Sequence, residues 1–186
     1  MNGRGLIKSQ IIDSWNGCIE TDYARQRINS ERSLQAAFWA QLNALLGANR
    51  RLFIEPRVSA KEEGETKTVY PDIVVCNTKE VIAVVELKYL PRGKPSYLKD
   101  VRNLDFLARK REGITVANSR YSGPEVDSKE YTLSKNILFV WAGVHMAQNE
   151  DQHQLYSEHY PSLKGSFLEL HAATQQTAVP EVYYYE

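Results

Sequence analysis

The chain has 186 residues, of which 42% are hydrophobic and 25% are charged, as is typical of a soluble globular domain. Its 23 basic and 23 acidic residues leave no formal net charge, which excludes a global field that draws the protein to nucleic acid or membrane. The longest apolar run, residues 137–144, is far shorter than the ~20 residues that span a bilayer. The first ten residues also lack the apolar segment of a signal peptide.

Cysteine usage points to a reducing environment. Cys18 and Cys76 are the two cysteines of the sequence, and no CxxC motif is present, so neither a disulfide framework nor a Cys-rich zinc site is expected. We find no internal repeat and no Pro/Gly/Ser-rich linker. The sequence therefore predicts a single domain over residues 1–186, in the cytoplasm and without a membrane partner.

Helical patterns come first along the chain. Apolar residues at three-to-four spacing over residues 6–28 predict one helix or two short ones, broken near Asn16-Gly17. A stronger helix follows over residues 30–47. Ser30 is its N-cap, Glu31 lies in its first turn and Gly47 closes it.

Strand patterns then alternate with one more helix. Residues 52–59, 68–76 and 81–88 predict three strands, with polar turns around Gly64 and over residues 77–80. A helix over residues 96–111 precedes a polar stretch with Gly123-Pro124 and a buried strand over residues 137–144. Less regular patterns predict a short helix at 151–160 and strands at 166–171 and 181–185. The predicted fold class is α/β, with a central mixed β-sheet flanked by helices.

The third predicted strand is apolar on both faces, which is typical of a central strand, yet it ends in Glu86-Leu87-Lys88. Alternation puts Ile82 and Val84 on the face of Glu86 and Lys88, and Val81, Ala83, Val85 and Leu87 on the other. One interpretation is that the charged end emerges into water or that its two charges pair. The alternative is a functional site, because buried charges are otherwise paired or metal-bound.

Asp72 favours the functional interpretation. If Asn77 pairs with Val81 across the turn, Asp72 lies directly opposite Glu86, with the two Cβ atoms ~5 Å apart. Carboxylates that close repel each other unless a cation or a proton lies between them. A register change of one residue would remove this geometry. Pro71 has no N–H, which favours a bend beside Asp72.

Two further carboxylates fall on apolar helix faces. Glu31 lies at the centre of a stripe formed by Leu34, Phe38, Leu42 and Leu45, so its side chain points either inward to the strand ends or outward to solvent, where the helix dipole favours it. Asp100 shares a face with Tyr97, Leu104 and Ala108. For Asp100 a capping or surface role is favoured.

This constellation resembles the PD-(D/E)xK motif of the restriction-endonuclease-like nuclease superfamily. Pro71-Asp72 is followed, after thirteen residues, by Glu86-Leu87-Lys88. The preceding helix with Glu31, the strand with Glu55 and the following helix with Asp100 occur in the family's order. The resemblance covers residues 30–145 and implies a core of αβββαβ order, with a helical N-terminal extension and a C-terminal extension outside it.

The resemblance implies that the protein would be a divalent-metal-dependent nuclease that hydrolyses phosphodiester bonds, with DNA the favoured substrate. Asp72, Glu86 and the carbonyl of Leu87 would bind Mg²⁺, with Mn²⁺ as an alternative, since such hard oxygen ligands suit these ions. Lys88 would orient the attacking water or stabilise the transition state. Glu31 would complete or support the metal site. Asp72, Glu86, Lys88 and Glu31 are thus the predicted catalytic residues.

Local basic residues provide a predicted nucleic-acid surface. The segment from Lys88 to Arg111 holds eight cations against Asp100 and Asp105, and we expect phosphate contacts from Arg92, Lys94, Lys99 and Arg102. The alternative is a solvated helix face with pairs such as Asp105–Arg109. The four histidines, two of them isolated at positions 145 and 171, are interpreted as ordinary residues.

Two other functional classes stay open. One is a non-catalytic nucleic-acid-binding or complex-assembly subunit on the same fold. The other is a structural or interaction protein in which the motif is accidental. The chain is short for a large target-recognition domain, so a homodimer or a larger complex is a further expectation, with the C-terminal VYYYE segment as an edge strand.

Overall fold

The computed structural model describes residues 3–62, 64–118, 122, 129–147, 155–176 and 178–186. Within these residues the chain forms three α-helices: α1 (Gly3–Gly17), α2 (Glu31–Leu45) and α3 (Leu98–Arg109). The strands are β1 (Arg51–Ile54), β2 (Val58–Glu62), β3 (Glu65–Val69), β4 (Ile73–Cys76), β5 (Glu80–Leu90), β6 (Thr115–Ala117), β7 (Glu130–Met146), β8 (Phe167–Thr174) and β9 (Glu181–Tyr185).

Most of the strands form one mixed sheet, in the order β1-β4-β5-β7-β8-β9, with β6 paired to β7. The neighbours β5, β7 and β8 run parallel, and the other pairings are antiparallel. The sheet is covered by helices, which confirms the predicted α/β class with a central mixed sheet. Its central strand β5 is buried on both faces as expected, since it lies between β4 and β7.

A separate two-stranded sheet, β2–β3, projects from the connection between β1 and β4. The predicted strands 52–59 and 68–76 are therefore each two strands. The first breaks at Glu55-Pro56, where Glu55 has a φ of 46°. The second breaks at Pro71, because a proline cannot donate a ladder hydrogen bond. The predicted bend beside Asp72 is thus confirmed, whereas the unbroken strands were wrong.

The helices follow the sequence pattern with local departures. α1 does not break near Asn16-Gly17 but continues into a π-helical segment, Cys18–Tyr23. Ser30 caps α2 as predicted, since its hydroxyl accepts from the N–H of Ser33. The stripe on α2 is buried at its first three apolar positions, but Leu45 is 45% exposed, so the prediction for Leu45 was wrong.

Two hydrophobic cores cover the two faces of the sheet. α1 and α2 pack against one face, through residues such as Trp15, Phe38 and Val85. α3 and the β2–β3 hairpin pack against the other, through residues such as Leu104 and Trp141. Because both faces of the parallel strands are covered in this way, the ends of these strands are the accessible part of the sheet.

The second half of the chain departs most from the sequence expectations. β7 has 17 residues rather than the predicted eight, and β6 was not predicted. Residues 155–160 form turns instead of the expected helix. Positions 151–154, which include His153, and Gly123-Pro124 of the predicted polar stretch lie outside the described residues. The predicted strands near 166–171 and 181–185 are present as β8 and β9.

No helix in the described part of the chain is long and apolar enough to cross a membrane. Both cysteines are buried free thiols.

Candidate functional site

The register of β4 against β5 brings Asp72 and Glu86 together. Ile73 pairs with Val85, and the same register continued by one residue sets Asp72 opposite Glu86. The Asp72 Oδ2 atom accepts a 2.6 Å hydrogen bond from the N–H of Leu87, the residue after Glu86. The predicted juxtaposition of the two carboxylates is therefore present.

The route to this register differs from the prediction. The Asn77 N–H donates to the carbonyl of Glu80, so Asn77 does not pair with Val81. A bulge at Ile82 restores the register further along, where Val75 pairs with Ala83. The bulge also moves Val81 into the α3-side core and turns Ile82 toward the α2-side core, so their predicted faces were wrong.

The backbone of Asp72 is fixed from two sides. Its carbonyl accepts hydrogen bonds from the Gln35 side-chain amide at 3.0 Å and from the N–H of Glu55 at 3.1 Å. Gln35 is a buried polar residue of α2 that the sequence reasoning missed. Its signal was present, since it lies four residues after Glu31 and therefore on the same helix face.

The carboxyl group of Asp72 is poorly solvated. Burial raises the pKa of Asp72 to about 6, against the opposing effect of the Leu87 hydrogen bond. The carboxylates of Glu31 and Asp100 raise the pKa of Asp72 further.

Glu86 is the most constrained carboxylate of the site. It is only 5% exposed, and its Oε1 atom is buried without a hydrogen-bond partner. Burial raises the pKa of Glu86 well above its ordinary value, and Asp72 and Asp100 raise it further. The side-chain amide of Asn103 offsets only part of this effect. A buried acceptor of this kind indicates a place for a proton or a cation.

Lys88 lies between carboxylates from two helices. Its Nζ atom is 3.2 Å from Glu31 Oε2 on α2 and 3.6 Å from Asp100 Oδ2 on α3. Burial alone lowers the pKa of Lys88, but Asp100 and Glu31 together outweigh burial and raise it above its ordinary value. Lys88 is thus held as an ammonium ion at the end of β5.

Glu31 reaches the strand ends, in line with the inward orientation considered for it. Its Oε2 atom accepts from Lys88 Nζ and, at 3.3 Å, from the N–H of Tyr89. The Glu31 side chain nevertheless stays 45% exposed. It therefore contacts Lys88 rather than the two carboxylates of the hairpin.

Asp100 belongs to the site, so the favoured capping or surface role was wrong. It is only 7% exposed, and its Oδ2 atom has no hydrogen-bond partner of good geometry. Burial raises the pKa of Asp100, while Lys88 and the indole N–H of Trp141 lower it in part. Asn103, one turn later on α3, also lines the site and was missed by the sequence reasoning.

These side chains line a cavity of about 290 Å³ at the end of β5. Four carboxylates, those of Glu31, Asp72, Glu86 and Asp100, face it against the ammonium groups of Lys88 and Lys99. With every group ionised, the lining has two more negative than positive charges. A divalent cation would balance this difference.

The donor set fits a hard divalent cation that uses few protein ligands. Asp72 and Glu86 offer carboxylate oxygens, and Leu87 offers a backbone carbonyl. Among the described residues, no group of three or more His, Cys, Asp or Glu side chains is arranged to hold a metal ion. This agrees with the contacts of Glu31 and Asp100, both of which are directed at Lys88.

The four predicted basic residues are all exposed, and one of them, Lys99, lines this cavity. Arg102 is exposed on α3. Arg92 and Lys94 are exposed in the loop after β5, which is anchored where the Met146 N–H donates to the Gly93 carbonyl. Arg109 instead pairs with Asp105 and Glu62, as the alternative of a solvated helix face requires.

His145 and His171 are not isolated, which corrects the sequence interpretation. β7 and β8 are parallel neighbours, and the His145 Nε2 and His171 Nδ1 atoms are 3.0 Å apart in a buried position. His171 Nε2 is 3.4 Å from the buried Glu169 carboxylate. Their contacts with each other and with the sheet support a structural role.

Comparisons with known proteins identify no relative. The chain matches no protein-family model, no curated protein and no solved structure.

Proposed function

We propose that the protein is a divalent-metal-dependent nuclease that hydrolyses phosphodiester bonds, with DNA as its favoured substrate. The observation that carries this proposal is Glu86, a carboxylate only 5% exposed whose Oε1 atom has no partner and which stands opposite Asp72. A structural role for this pair would require a proton or a cation between the two groups.

The order of elements supports the same proposal. α2, β1, β4, β5, α3 and β7 follow one another along the chain, once the β2–β3 hairpin and the short strand β6 are treated as insertions. With these insertions set aside, the element order is compatible with the αβββαβ order that the resemblance to PD-(D/E)xK nucleases implies. Asp72 precedes one strand of the central hairpin, and Glu86 and Lys88 lie near the end of the other.

In the proposed reaction Asp72, Glu86 and the Leu87 carbonyl hold Mg²⁺ or Mn²⁺. When bound, such an ion lowers the pKa of a water molecule and balances negative charge on the phosphate. The raised pKa values of Asp72 and Glu86 imply that both groups bind protons more readily than usual without the ion. Both must lose their protons before they act as ligands.

Lys88 supplies a positive charge to the reacting phosphate. Its raised pKa keeps it protonated at neutral pH. Glu31 and Asp100 hold its Nζ atom from two helices, so the charge is oriented before the substrate binds. Glu31 therefore acts by positioning Lys88, and Asp100 joins it in this role.

The experiment is a cleavage assay with plasmid, linear duplex and single-stranded DNA, in Mg²⁺, Mn²⁺ or EDTA. We expect cleavage with either ion and none in EDTA. Lys88→Ala should lower the rate about 10²- to 10³-fold, since a preorganised charge stabilises the transition state by several kcal/mol. Lys79→Ala is the matched control, because Lys79 is an exposed lysine in the turn between β4 and β5.

Cleavage that persists in EDTA, or that Lys88→Ala leaves intact, would contradict the proposal. DNA binding without cleavage by the wild-type protein would favour the alternative of a non-catalytic binding subunit on this fold. An RNA substrate tested in parallel decides between the two nucleic acids.

A further inference from the structure

A second, larger cavity lies at the C-terminal end of α3, whereas the cavity that contains Glu86 lies near its N-terminal end. We call the second one the cationic cavity and the first one the site cavity. The cationic cavity has a volume of about 860 Å³ and lies between the β2–β3 hairpin and the end of α3. Four cationic residues and one acidic residue, Glu112, line it; the cations are Lys61, Arg109, Lys110 and Arg111. The neutral chain therefore has a local excess of positive charge here.

The cations differ in how far they are already neutralised. Arg109 forms ion pairs with Glu62 and Asp105 and contributes little free charge. Lys61 and Lys110 form no ion pair within the part of the chain that the structure describes. Arg111 donates to the Lys135 carbonyl, while its Nε atom is buried without a partner. The two lysines are thus available to an anion, and the partly engaged Arg111 guanidinium adds positive charge beside them.

The two cavities lie along one seam, where the hairpin packs on α3. The site cavity takes Thr68 and Val69 from the base of the hairpin and Asp100 from the first turn of α3. The cationic cavity takes Lys61 from the hairpin and Arg109 from the last turn of α3. The rise of an α-helix separates Asp100 from Arg109 by about 14 Å along the axis. This distance equals the rise of about four base-pair steps along the axis of duplex DNA.

We propose that the cationic cavity binds phosphates of the DNA backbone a few nucleotides from the bond that is cleaved. The inference rests on the proposed nuclease function, because it locates the phosphate contacts relative to the carboxylate site where the bond would be cleaved. Lys61 and Lys110 supply the contacts to phosphate, and Arg111 adds a further positive charge. The cavity thereby fixes the path of the strand across α3 and carries no sequence information, as phosphate contacts do.

The test is the affinity for a labelled duplex of about 16 base pairs, measured by fluorescence anisotropy in EDTA at several salt concentrations. The double variant Lys61→Ala with Lys110→Ala should bind at least about tenfold more weakly, with a salt slope lower by about 2. The matched control is Lys79→Ala with Lys164→Ala, two exposed lysines outside both cavities. It should bind like wild type, and thermal melting should confirm that both variants fold.

Unchanged affinity in the Lys61/Lys110 variant, or an equal loss in the control, would overturn the inference. The inference would also be overturned if inorganic phosphate binds the cavity but substitution of the two lysines leaves the affinity for DNA unchanged. Because the assay needs no cleavage, the two proposals fail separately. Lysine-dependent binding by a protein that never cleaves DNA would refute the nuclease and retain the cavity. Cleavage by a protein whose DNA affinity does not depend on these lysines would refute the cavity proposal and retain the nuclease.

Discussion

Glu86 destabilises the metal-free protein in a way that packing alone does not explain. An unsatisfied buried acceptor costs about 1–3 kcal/mol, and here two further carboxylates, Asp72 and Asp100, lie close by. A core position next to Val84 and Leu87 would be filled equally well by an apolar side chain. Such a cost at one residue is typical of a site where function limits stability.

We expect Glu86→Gln to stabilise the metal-free protein by about 2 kcal/mol at pH 8. The sign follows from the raised pKa of Glu86 in the folded state. Below the unfolded-state pKa of about 4.3, wild-type Glu86 is protonated and resembles glutamine. As the pH rises through the higher folded-state pKa, wild type loses stability that the variant keeps. Urea unfolding of both proteins between about pH 4 and pH 8 measures the difference.

The matched control for this comparison is Glu20→Gln, which removes an exposed carboxylate near the end of the first helical region. Its effect should stay within about 0.5 kcal/mol at every pH. A Glu86→Gln variant less stable than wild type at pH 8 would contradict an unpartnered Glu86 Oε1 atom in the folded protein.

At the scale of elements, β7 supports the site through Trp141 and Gly143. Trp141 lies between Glu86 of β5 and Glu169 of β8 in the sheet register. Its indole folds along the strand over Gly143, so a Cβ at position 143 would overlap the ring, with Trp141 Cζ2 only 2.7 Å away. Glycine at this position therefore lets the indole approach Asp100, whose pKa it lowers.

Gly143→Ala should destabilise the protein by about 2–3 kcal/mol, since the added methyl group overpacks a fully buried ring. Gly47→Ala is the matched control. Its Cβ meets no atom within 4 Å, so it should change stability by less than about 1 kcal/mol. Chemical denaturation of the two variants checks this expectation. Equal stabilities would show that Trp141 moves aside without loss.

The β4–β5 hairpin shows what local patterns can and cannot predict. Apolar residues on both faces of β5 identified a central strand, and the polar turn identified the hairpin. The bulge at Ile82 gave no such signal, because Val, Ile and Ala succeed one another there and either face accepts them. The prediction of Asp72 opposite Glu86 was correct although the assumed pairing of Asn77 was wrong, since the bulge compensates for the shorter turn.

At the scale of the whole molecule, the residues hardest to predict were those whose environment is set by distant elements. Asp100 is buried because α3 packs beside β5, and its sequence pattern was equally compatible with a surface position. The places of Gln35 and Asn103 beside the site likewise depend on how the helices pack against the sheet. His145 and His171 meet only because β7 and β8 are parallel neighbours, which spacing along the chain does not encode.

The whole sheet also explains why these charges gather in one place. β5, β7 and β8 run parallel, so their carboxyl ends meet at one edge, where the helix ends carrying Glu31 and Asp100 also arrive. Edges of this kind are where α/β proteins place their sites. The path of the chain across this edge brings Glu31, Asp72, Glu86 and Lys88 together from separate parts of the sequence.

The measurement that tests the site most directly is Mn²⁺ binding by calorimetry at neutral pH, with wild type and with Asp72→Asn combined with Glu86→Gln. We expect wild type to bind Mn²⁺ and the double variant to lose at least about tenfold in affinity, because both charged ligands are removed. Asp13→Asn combined with Glu20→Gln removes the same two residue types from the exposed surface and should bind like wild type. Equal Mn²⁺ affinity in wild type and in the Asp72/Glu86 variant would contradict the metal site.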